Sequence, residues 1–131
     1  MKNKSSILRL FLYLTALHSF VVGIGLIVVT NQLRLLLGFS PSQEQFFQTQ
    51  GGVFHIIMAT AYFLSGYNIE KYRQLFIFSI FVKFCASIFL FTYLIVVSFS
   101  YILFFSGFVD LIIFLIMYYF YKVQSKEIQQ E

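Results

Sequence analysis

The stretch FFQTQGGVFHIIMATAYFLSG, residues 46–66, decides how this chain is read. Its length matches the roughly 20 residues that an α-helix needs to cross the hydrocarbon core of a bilayer. Its first half nevertheless carries Gln48, Gln50, the adjacent Gly51 and Gly52, and His55. Hydrogen-bonding groups, and a base that titrates near neutrality, thus stand where lipid is expected. The surrounding sequence says why they can be there.

Three further unbroken apolar stretches flank it, at 7–29, 75–97 and 101–121. Hydrophobic residues make up 60% of the 131 positions and charged ones 11%. Soluble domains run at about half and a quarter, and runs this long do not fit one. The sequence therefore predicts an all-α polytopic membrane protein: a single domain over 1–131, built as an antiparallel bundle of four transmembrane helices. The first stretch follows Lys2 and Lys4, as the apolar core of a signal peptide would. It is longer than the roughly 7–15 residues of such a core, and no small-x-small pattern closes it. It reads as a retained span.

The formal charge of +4 is distributed by topology. Lys2, Lys4 and Arg9 are read as preceding the first span, Lys71 and Arg73 lie between the second and third, and Lys122 and Lys126 follow the fourth. The segment after the first span offers Arg34 against Glu44, and 98–100 has no charge. With four spans all three basic clusters fall on one face, which the positive-inside bias makes cytoplasmic, with both termini. These lysines orient the protein and form no nucleic-acid footprint. Cys85 is the single cysteine, which rules out an intramolecular disulfide and a Cys-based metal or redox motif.

Past the first span, TNQLRLLLG predicts a short amphipathic turn or helix at the outer interface, stopped by Gly38. SPSQ then predicts a restart, with Ser40 as N-cap, Pro41 at the first helical position and Gln43 closing a capping box. The second long helix is thus expected to begin near Pro41 and to enter the membrane around Phe46. The links YNIEKYRQ and SFSY are short, which forces antiparallel neighbours. Tyr72, Tyr118, Tyr119 and Tyr121 stand where an interfacial aromatic belt is expected.

Each span carries one ionisable side chain near its middle: His18, His55, Lys83 and Asp110. A charged side chain facing lipid at mid-depth costs at least ~2.5–3.5 kcal/mol, so such groups turn inward and find partners. Lys83 and Asp110 differ in depth by about 6 Å at the helical rise, which a lysine stem bridges. They are expected to pair. Gln48, Gly52, His55, Ala59, Tyr62 and Gly66 recur every three or four residues, one small or polar stripe that faces the interior. The corresponding stripes are Phe11, Thr15, His18, Val22 and Gly25; Ser79, Lys83, Ala86 and Leu90; and Ser106, Asp110, Ile113 and Met117.

The plain reading of these groups is structural: interhelical hydrogen bonds for the histidines, an ion pair for Lys83 and Asp110, close packing for the glycines. The functional reading is a pocket with His18, His55, Lys83, Asp110, Gln48, Gly52 and Tyr62 as candidate lining, suited to an amphipathic ligand such as a quinone or lipid. A competing reading is haem held by His18 and His55, making a haem- or quinone-linked redox subunit. A proton-coupled transporter fits poorly, because four short helices lack broken segments and inverted repeats. No nucleophile–base–orienter set is recognisable, so the chain does not read as a hydrolase. No metal site or required cofactor emerges. Partners other than lipid reduce to a second copy of the chain or a larger membrane complex.

HSFVVGIGLIV, FFQTQGGVFHIIMATAY, FSIFVKFCASIFLFTY and SGFVDLIIFLIMYY together resemble the BphX-like family of small bacterial membrane proteins, and more distantly the DoxX-like four-helix group. The likeness covers nearly the whole chain, and the Gln-Gly-Gly-x-Phe-His element at 50–55 is its most specific part. It implies a four-helix bacterial inner-membrane protein of a family with no settled biochemical activity. A quinone-linked redox subunit among the DoxX-like relatives is an analogy at the level of fold, which says little about function.

Overall fold

The computed structural model describes residues 2–37 and 44–128, with side chains described for 5–37 and 44–124. Among the described residues the chain is all-helical. The helices are α1 (Lys2–Val28), α2 (Asn31–Leu36), α3 (Phe46–Tyr67), α4 (Arg73–Val96) and α5 (Tyr101–Ile128). Three of them, α1, α4 and α5, are long and apolar enough to cross a membrane. Helix α3 is long enough at 22 residues, but Gln48, Gln50 and His55 dilute its hydropathy below that of the other three.

The chain divides into two compact units, Met1–Tyr72 and Arg73–Glu131. In the first, α1 packs on α3. Contacts pair Arg9 with Gly66, Tyr13 with Phe63, Ser19 with His55, and Gly23 with Gly52. Numbers that rise on one helix fall on the other, so the two are antiparallel. In the second unit, α4 and α5 pair in the same way: Lys83 with Asp110, Ser87 with Gly107 and Phe91 with Phe104. The link between α4 and α5 is four residues, 97–100.

The stretch after α1 forms α2 as a separate short helix, capped by the Thr30 hydroxyl, which accepts from the Leu33 N–H. Helix α3 begins at Phe46, later than the start near Pro41 expected from the sequence: Glu44 and Gln45 are not helical, and Gln45 is an N-cap without a side-chain hydrogen bond. The expected stop at Gly38 and the capping box at Ser40, Pro41 and Gln43 lie outside the described residues. His55 is still the tenth of 22 residues in α3, close to its middle.

The predicted interior stripe of α3 is largely correct: Gly52, Ala59, Tyr62 and Gly66 are buried, joined by Ser65. On α1 the stripe is rotated. Its buried positions include Leu8, Leu12, Thr15, Ser19 and Gly23, while His18 and Gly25 are exposed. The glycines set this register. A Cβ on Gly23 would stand 2.8 Å from the Gly52 carbonyl oxygen, and one on Gly52 2.6 Å from that of Gly23. Among the described glycines only these two would bring a Cβ against the backbone of the neighbouring helix, and Ser19, one turn before Gly23, faces α3 with it. On α5 Gly107 takes the place expected for Ser106, which is exposed, and Asp110, Ile113 and Met117 follow as expected.

Candidate functional site

Lys83 and Asp110 form a buried ion pair, with Nζ 2.5 Å from Oδ1 and side chains 3% and 10% exposed. Lys83 sits mid-way along α4 between Ser79 and Ser87, each one turn away and each buried. The Ser79 hydroxyl donates to the Leu75 carbonyl at 2.7 Å, and that of Ser87 to the Gly107 carbonyl at 3.4 Å. The first bond satisfies a hydroxyl within its own helix, as serines in apolar helices commonly do. The second crosses to α5, where Gly107 leaves room for the approach. The ammonium and carboxylate thus lie in a polar seam along one face of α4.

In the first unit, His55 meets Ser19. The Ser19 hydroxyl, on a residue that is 1% exposed, donates to the His55 carbonyl at 2.9 Å and lies 3.3 Å from Nδ1 of the same residue. A hydroxyl has one proton to give. With that proton on the carbonyl, the complementary arrangement has Nδ1–H donating to the serine oxygen.

Gln48 lies two turns from His55, about 10 Å by the helical rise. Its Nε2 donates to the Leu26 carbonyl at 2.7 Å and its Oε1 accepts from Nη1 of Arg34. This glutamine ties the end of α1 and the short α2 to the start of α3, where α1 leaves carbonyls without helical partners. At the opposite end of the unit, Arg9 Nε donates to the Gly66 carbonyl at 3.0 Å and Nη2 to that of Tyr67 at 3.2 Å, closing the last turn of α3.

Of the candidate residues, Lys83 and Asp110 are brought together, as expected. His55 is brought to Ser19, and the His18 ring is on the exposed side of α1. An axial pair for haem would need both imidazoles aimed at one iron, and their surroundings differ. Gly52 serves the close helix crossing, and Tyr62 is buried at 1% exposure. Ser19, Ser87 and Arg9 were not singled out from the sequence. Ser87 was open to discovery, being one turn from Lys83 on the same face. Ser19 was hidden by its neighbour His18, which drew the stripe one position away.

An apolar groove of about 470 Å³ opens along α1 and α3. Ala16 and Ala59 form its floor, and Tyr13, Phe20, Ile56 and Phe63 are among its walls, with the Thr60 hydroxyl as a polar point. The chain matches no protein-family model, no curated protein and no solved structure.

Proposed function

We propose that this is a small, non-catalytic integral membrane protein that binds an amphipathic molecule, a quinone or lipid. The observation that carries the reading is the groove on the first unit. Its volume lies within the roughly 300–1,000 Å³ of small-molecule sites, and its lining is mainly apolar with few polar groups, as such sites are. The same proposal has all four long helices crossing the bilayer, both termini on the cytoplasmic side of a bacterial inner membrane, and membership of the BphX-like family.

Support for a spanning α3 comes from its length and its partners. Twenty-two residues make about 33 Å of helix, against about 30 Å of hydrocarbon. It contains no charged residue. Gln48 bonds to Leu26 and Arg34, and His55 to Ser19, so two of the three polar groups that lower its hydropathy are engaged by neighbours; the third, Gln50, is exposed and lies close to the start of the helix.

The test is mass spectrometry of organic extracts from protein purified through exhaustive detergent exchange. About one quinone or lipid per chain, carried through the exchange, is the expected result. A clean extract overturns the binding reading.

A further inference from the structure

The groove's lining ends at Tyr13 and Phe63, and Arg9 stands one turn beyond them. On α1, Arg9, Tyr13, Ala16 and Phe20 recur every three or four residues, one face of a helix. On α3, Ile56, Thr60, Phe63 and Tyr67 run antiparallel beside them. The Tyr13 and Phe63 rings stand 5.3 Å apart, and one turn beyond them Arg9 reaches the Gly66 and Tyr67 carbonyls. A guanidinium thus stands one turn beyond the end of an apolar groove, past the paired rings of Tyr13 and Phe63.

We propose that the two form a binding site for an anionic phospholipid, with one acyl chain in the groove and the headgroup phosphate on Arg9. The inference rests on the binding reading above and names its ligand class. Three observations carry it. The first is length: from Arg9 to Phe20 is eleven residues, about 16 Å of helix, which is one leaflet of a hydrocarbon core about 30 Å thick.

The second is the state of Arg9. A guanidinium has five N–H donors. Two are held by the carbonyls of Gly66 and Tyr67, and no described residue takes the other three. Nor does any described carboxylate pair with it. The side chain is anchored by two bonds and exposed, with donors left in the planar fork that suits phosphate oxygens.

The third is the shape of the groove. Its floor is alanine at Ala16 and Ala59, and its sides are mainly aromatic and branched side chains, which accept a flexible hydrocarbon chain; the side-chain polar atoms there are the hydroxyls of Tyr13 and Thr60, neither of them charged, and that of Thr60 donates to the Ile56 carbonyl at 3.3 Å. A ligand that suits both ends therefore has one anionic head and one apolar tail. On the topology proposed above, Arg9 is in the cytoplasmic leaflet, where anionic lipids create a negative surface potential.

The experiment is native mass spectrometry of the full chain released from nanodiscs of equal phosphatidylglycerol and phosphatidylcholine. The wild type should retain one phosphatidylglycerol with about a tenfold preference, the worth of a charge-assisted contact. Arg9→Gln should bring the two lipids to equal retention. Thr60→Phe, which fills the groove from its exposed wall and leaves Arg9 untouched, should lose the retained lipid altogether. Because Arg9 also closes α3, Thr60→Phe keeps the test meaningful even if Arg9→Gln fails to fold. Equal retention of both lipids by the wild type, or full retention in Thr60→Phe, overturns the proposal. A neutral quinone retained instead also overturns it while leaving the broader binding reading intact. No retained molecule of any kind removes both.

Discussion

The Lys83–Asp110 pair makes a quantitative claim about replacing charge in the apolar interior of the second unit. At a separation of 2.5 Å, and with an effective dielectric constant near 20, the attraction is about 7 kcal/mol. Burial works against it, because each ion gives up hydration worth several kcal/mol. The two effects nearly cancel, so the pair adds little relative to two apolar side chains of similar size. Losing one partner is different, since it removes the attraction and leaves the other's desolvation in place. Lys83→Met alone and Asp110→Leu alone are each expected to cost about 3–5 kcal/mol. If independent, the two losses would sum to about 6–10 kcal/mol, whereas the double variant should lie within about 2 kcal/mol of wild type. The assay is reversible unfolding in mixed detergent and dodecyl sulfate micelles, followed by far-ultraviolet circular dichroism. A double variant as unstable as the sum of the singles would refute the reasoning, and so would singles that cost nothing.

Other perturbations separate the contacts one by one. Gly52→Ala forces a Cβ to within 2.6 Å of the Gly23 carbonyl oxygen and should destabilise the α1–α3 unit by about 1–3 kcal/mol in the same unfolding assay. Gly25→Ala meets nothing within 4 Å and should be neutral or stabilising by up to about 1 kcal/mol; equal effects at the two sites would contradict the described crossing. Gln48→Leu cuts the tie between α2 and α3, so amide exchange over Asn31–Leu36 should quicken about tenfold or more, while Gln50→Leu, at an exposed position, should leave it unchanged. Ser19→Ala removes a hydrogen-bonding neighbour of both the His55 ring and its carbonyl and should cost about 1–2 kcal/mol, whereas Ser106→Ala, at an exposed position, should cost almost nothing.

How much of this was legible in the sequence depended on which physical signal carried it. The long apolar runs predicted helices at nearly the observed places, because a run of some twenty apolar residues has few other structures open to it. The Lys83–Asp110 pair was legible for the same reason: two opposite charges at similar depths in greasy segments leave each other as the economical partner. The stripe of α3 was readable because its small and polar residues recur without a gap from Gln48 to Gly66. Helix α1 was not, since His18 and Ser19 are adjacent and composition alone does not say which faces α3. What decides it is the backbone approach at Gly23 and Gly52, a property of the pair of helices. The roles of Gln48 and Arg9 were hidden for a related reason. Both bond to main-chain carbonyls of a helix distant in sequence, and a carbonyl leaves no mark in the residue code.

The proposed topology depends most on α3 crossing the bilayer in spite of its polar first half. In a Cys85→Ser background, which removes the one native thiol, single cysteines at Gln45→Cys and Glu70→Cys bracket that helix, and both positions are exposed. Labelling intact cells with a membrane-impermeant maleimide measures which side each end occupies. Modification of the residue-45 thiol in intact cells, with the residue-70 thiol modified only after lysis, is the predicted result. Both thiols reacting from the same side would contradict it.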